Sequence, residues 1–171
     1  MTWEDEFRWR MERFQPALPA RDEGISVSIK IRPSRGCFHR EHSPFAYRII
    51  DEYLISQPID TFSFEEHESG PELLVNLAFA TAGISLAANI INLVTAIFKA
   101  RAEGIRRGDK QNAPLELIVR GFDENGQLRE EKMLTIDSRQ NVSEDLIETV
   151  LLTTVNKMTT KKKGKKRRAT K

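Results

Sequence analysis

A single cysteine, Cys37, in 171 residues excludes an intrachain disulfide. The opening MTWEDEFRWRMERF is charged where a secretory leader needs an apolar centre, so a reducing, cytoplasmic compartment is expected, extending at most to the inner face of a membrane. Aromatic residues make up only 8% of the chain. Glycine fingerprints for phosphates or dinucleotides are missing, since Gly104 and Gly108 sit in a charged segment without the required spacing. No nucleophile, base and orienting group fall into a recognisable set, which predicts a protein that is not an enzyme and needs no cofactor.

Charge is plentiful but unevenly spread. The net charge of +2 hides a final KKKGKKRRATK that holds eight of the 27 basic residues and no acid, leaving 19 basic against 25 acidic residues, or −6, before it. Lys161, Lys162, Lys163, Lys165, Lys166, Arg167 and Arg168 form a tail predicted to be disordered and to attract polyanions. RNA, DNA or an anionic lipid surface would each bind there with strong salt dependence and little sequence preference. The competing reading is a solubilising tail on an acidic body.

Against this charged background, the 26 residues between Glu72 and Lys99 contain no charge at all. Such a run can cross a hydrocarbon core, form a central helix or make an oligomer seam. As a helical section over 72–107 it would approach about 50 Å at ~1.5 Å per residue, so a break near Gly83 is expected. Thr81, Ser85, Asn89 and Asn92 form a polar stripe that a lone lipid-facing helix does not need. Leu86, Ile90, Leu93 and Ile97 then form an apolar contact ridge for a protein partner, a second copy or a membrane, with Asn89 and Asn92 fixing register. The segment is therefore a transmembrane-helix candidate, although spanning would require export of some seventy N-terminal residues that lack a signal.

Trp3, Phe7, Met11 and Phe14 recur at helical spacing and predict a short amphipathic helix over 1–20, suited to docking on a partner or membrane surface or to packing on its own domain. In GISVSIKIR, Ile25, Val27, Ile29 and Ile31 alternate with polar residues, a strand with one buried face. A helix from about Phe45 to Ser56 and a strand through Phe62 and Phe64 complete a predicted β-α-β crossover. Beyond the apolar section, LELIVRG, Asn125-Gly126 and LREEKMLTID read as a hairpin. Asn141 or Ser143 caps a last helix with Val142, Leu146, Ile147, Val150, Leu151 and Val155 on one face. The whole predicts an α+β fold: one domain over 21–158 with a small mixed sheet, an amphipathic leader and a basic tail over 159–171.

This order of ISVSIKIR, helix, strand, SGPELL, the small-residue section around ATAGISLAANI, KARAEGIRR, the hairpin and a closing helix resembles the effector-associated constant components of bacterial conflict systems, over about residues 24 to 157. The resemblance implies a small non-enzymatic companion of effectors such as proteases or nucleotide-responsive modules.

Cys37, His39 and His42 lie within six residues, with His67 as a returning fourth group, and thiolate plus imidazole suits zinc. Their spacing matches no established zinc knuckle, and Arg35, Arg40 and Arg48 oppose a cation, so the expectation is a polar loop without metal. The Glu65, Glu66, Glu68 group reads as solvated acids at a turn. Two functions follow: an interaction module docking through the apolar section, or a nucleic-acid accessory acting through the tail.

Overall fold

A computed structural model of the chain describes residues 1–14, 24–57, 61–80, 83–110, 113–123 and 125–159. In chain order the elements are α1 (Trp3–Phe14), β1 (Gly24–Pro33), α2 (Pro44–Ser56), β2 (Phe62–His67), β3 (Gly70–Ala80), β4 (Gly83–Ser85), α3 (Ala88–Arg107), β5 (Leu115–Phe122), β6 (Leu128–Ile136) and α4 (Glu144–Thr159). The architecture is α+β, built on one sheet in the order β2-β3-β1-β5-β6, with β4 paired to the end of β3.

Every ladder is antiparallel, so the sheet is not mixed as expected. β1 and β2 do run in the same direction with α2 between them, because both oppose β3. They are not neighbours. At Glu68-Ser69 the chain turns back through Gly70, whose φ of 137° favours glycine, and β3 inserts between them.

The largest correction concerns the apolar run. Its first part is β3, and only from Ala88 is it helix. Leu73, Leu74 and Val75 are all buried, so this central strand is covered on both faces and shows no alternation to set it apart from a buried helix. The break at Gly83 is present, but it opens β4 rather than joining two helices. Among the described residues no helix is long and apolar enough to cross a membrane, which removes the transmembrane candidate. Lys99, Arg101, Glu103, Arg106 and Arg107 fill the second half of α3 with charge.

Two clusters pack on opposite faces of the sheet. Val27, Ile29 and Ile31 of β1, with Leu73, Val75 and Leu77 of β3, form the main core beneath α2, α3 and α4. Phe7, Met11 and Phe14 of α1 close over Leu74, with Phe122 and Leu128 at the edge. Local signals account for the helix ends. Thr2 Oγ1 accepts the Asp5 amide while Asp5 accepts the Thr2 amide, fixing the start of α1. Ser143 Oγ accepts the Leu146 amide at the start of α4, as its sequence predicts. Gly126, at φ 73°, turns β5 into β6.

Candidate functional site

The predicted contact ridge is not a surface. Ile90, Leu93 and Ile97 are each at most 1% exposed and belong to the main core, while Leu86 packs against it half-buried. Asn89 donates its side-chain amide to Thr61 Oγ1 at 2.7 Å, and Asn92 is half-buried. The chain's own sheet covers this ridge, because β3 supplies a strand in place of a second apolar helix. The N-terminal docking set likewise faces inward: Phe7, Met11 and Phe14 are buried on the chain's own sheet. Trp3 stays half exposed with the Arg120 guanidinium 5.3 Å from its ring.

Beneath α1 lies a charged network that includes Glu65, expected as a solvated acid, and His67, expected beside Cys37. Glu72, 1% exposed, accepts from Ser28 Oγ, and its other oxygen lies 2.8 Å from Arg10 Nη2 and 3.1 Å from His67 Nε2. Arg10 Nη2 also sits 2.7 Å from Glu65, ion-paired with both acids but off hydrogen-bond alignment. Burial would raise the Glu72 carboxyl, yet the close contacts of His67 and Arg10 and the hydrogen bond from Ser28 outweigh it and hold the group far below the usual carboxylate range. Lys30, buried beside it and donating to the Gly70 carbonyl at 3.2 Å, is pushed down to about 8 by burial against the pull of Glu72.

The opposite side of the molecule carries a groove of about 910 Å³ along the outer flank of α3. Ile49 of α2, Phe98 and Ile105 of α3, Leu115, Ile136 and Val142 supply apolar lining. Its lining includes five basic residues (Lys99, Arg101, Arg106, Arg107 and Arg139) and three acidic ones (Glu52, Glu103 and Asp137). Glu103 is bound to Arg106 at 2.5 Å and Arg107 at 2.8 Å, whereas Lys99 and Arg139 form no ion pair among the described residues. The Arg101 guanidinium turns away, 4.9 Å from the Phe38 ring, with both terminal nitrogens buried and without a hydrogen-bond partner. Burial lowers its pKa, with Asp109 and Cys37 pulling the other way.

Asp109 joins the floor of this region to α2. Its carboxylate accepts the amides of Phe45 and Ala46 at 3.0 and 2.9 Å, satisfying the first turn of that helix. The approach needs Gly104: a Cβ there would lie 2.1 Å from Asp109 Oδ2 and 2.8 Å from Ala46. Neither residue stands out in the sequence, because the contact joins segments some sixty residues apart.

Between β1 and α2, the structure brings Cys37, His39 and His42 together. Cys37 Sγ lies 2.6 Å from His42 Nδ1, and the two imidazole rings are 4.4 Å apart. His67 is not among them, being engaged with Glu65 and Glu72. The basic tail, with Lys161 through Arg168, lies outside the described residues. No protein-family model, curated protein or solved structure matches the chain.

Proposed function

We propose that the protein is a non-enzymatic binding module whose groove along α3 receives an acidic, amphipathic segment of a partner protein. One observation carries this reading: an open apolar trough with an excess of basic lining residues on a body whose overall balance is acidic. Apolar lining supplies most of the affinity and the rim charges orient the guest and speed its encounter. The chain's own basic tail has the wrong sign to occupy such a rim. A role as companion to an effector in a bacterial conflict system, as the sequence resemblance implies, fits a module of this kind.

The probe is a fluorescent Glu/Leu amphipathic peptide, with its Lys/Leu counterpart as control, followed by anisotropy on the full chain. The acidic peptide binds in preference to the basic one, and the pair Lys99→Glu with Arg139→Glu weakens it about tenfold, since each reversed rim charge contributes roughly 0.5–1 kcal/mol. Equal binding of both peptides, or indifference to the two reversals, overturns the reading.

Polyanion binding through the tail is the second reading, favoured by its eight basic residues. Removing residues 161–171 abolishes RNA binding in a filter assay under this reading while leaving the peptide titration unchanged.

A further inference from the structure

We infer that Cys37, His39 and His42 form a zinc site of three protein ligands, with a fourth position open to solvent. The ligand atoms of all three lie within 4.8 Å of one another, and all three residues are partly exposed. One thiolate and two imidazoles are a donor set that zinc accepts, and three protein ligands leave room for a water.

The loop that carries them is held from several sides. Ser34 donates its amide to the Pro114 carbonyl at 2.9 Å, and Lys110 donates to the His42 carbonyl at 3.2 Å. Tyr47 donates its hydroxyl to the Phe38 carbonyl at 3.0 Å, and Phe38, between the ligands, is fully buried. The ligands are thus presented by a backbone already fixed, which lowers the ordering cost of binding. At ordinary zinc bond lengths of about 2.3 Å to sulfur and 2.1 Å to nitrogen, Sγ and the His42 nitrogen would stand roughly 3.6 Å apart, an opening of about 1 Å by side-chain rotation. His39 Nδ1 accepts the Glu41 amide at 3.2 Å, so an ion takes His39 either there, displacing a long hydrogen bond, or at Nε2.

The neighbouring arginines that argue against a cation in the sequence are largely spent elsewhere. Arg40 is bonded to both oxygens of Asp51 and both of Glu66, so two carboxylates surround its single charge. Arg48 lies over the Phe45 ring, and the buried Arg101 is offset by Asp109 as well as Cys37. A second group, Glu65, His67 and Glu72, is equally close-set but does not qualify. There the cation's place is taken by the Arg10 guanidinium, within 2.8 Å of both acids.

The test uses the full chain, reduced and stripped with a chelator, then titrated with ZnCl2 by calorimetry. One ion binds per chain, Cys37→Ser and His42→Ala each weaken it by about a hundredfold or more, and His67→Ala leaves it unchanged. CoCl2 in place of zinc gives a thiolate-to-metal charge-transfer band that Cys37→Ser removes. On the unmutated chain, ZnCl2 slows alkylation of Cys37 by iodoacetamide, a readout that needs no variant to fold. Absence of zinc uptake, uptake that survives Cys37→Ser, or alkylation indifferent to zinc overturns the site, the last pointing instead to a bare thiol–imidazole pair.

Discussion

The two faces of the central sheet are stabilised by different physics. Under α2, α3 and α4 the strands present Ile, Leu and Val, and the layer is held by area removed from water. Under α1 they present Ser28, Lys30, Glu72 and Arg120 around a small apolar patch, and the layer is held by ion pairs centred on the buried Glu72. The apolar face tolerates changes of detail as long as volume is kept. The charged face does not, because each buried ion is stable only while its partners are present. α1 is therefore matched to this sheet by Arg10 as much as by Phe7 and Met11. A helix with the same apolar stripe but no arginine at that position would leave Glu72 without its best-placed cation.

The sharpest way to break the comparison is to remove the charge at its centre. Glu72→Ala leaves Arg10, Lys30 and His67 around an uncompensated space and costs about 4 kcal/mol in urea unfolding. Adding Lys30→Met recovers a good part of that loss, because one of the orphaned cations is gone. If the double variant is no better than the single one, Lys30 is not a member of the network.

On the other face, Ile97→Ala costs about 3 kcal/mol, by lost transfer energy plus the cavity left in a fully buried position. The loss is the same at pH 5 and pH 8, since no titrating group is involved. A pH-dependent penalty at Ile97, measured by the same unfolding experiment, would show that the two layers are coupled rather than separate.

Several of these elements were legible from the chain. Strict alternation in Ile25 to Ile31, the Asn125-Gly126 turn and the Ser143 cap are local signals, and each produced the element expected, except that β1 is covered on both faces rather than one, with Ser28 and Lys30 buried opposite its isoleucines. The run from Leu73 to Phe98 misled because a strand buried on both faces and a buried helix share one composition. What buries Leu74 is α1, some sixty residues earlier, and no periodicity within the run records that. The Cys37 cluster was visible as spacing, yet the objection from Arg40 dissolves only when Asp51 and Glu66 are seen to enclose it. The groove was not visible at all, since α3 makes only one wall of it and α2, β5 and the segment after β6 supply the rest.

The smallest effects, and the most diagnostic in sign, lie in pH. Glu72 has a folded pKa far below its unfolded value of 4.5, so its stabilisation is complete above about pH 4.5 and is lost as pH falls toward the folded pKa. The α1 face should loosen in acid before the apolar face does, seen as lower hydrogen-exchange protection across α1 at pH 3 than at pH 6, each rate taken relative to the intrinsic rate at that pH, while α3 stays protected. Lys30 works in the opposite sense. Its pKa falls from 10.5 unfolded to about 8 folded, so between those values the unfolded chain binds the extra proton and stability rises with pH. The urea midpoint of the unmutated chain should therefore gain, relative to Lys30→Met, on going from pH 7.5 to pH 10. A gain of the same size in Lys30→Met would assign the alkaline effect to other groups and reduce the buried charge layer to Glu72 and Arg10.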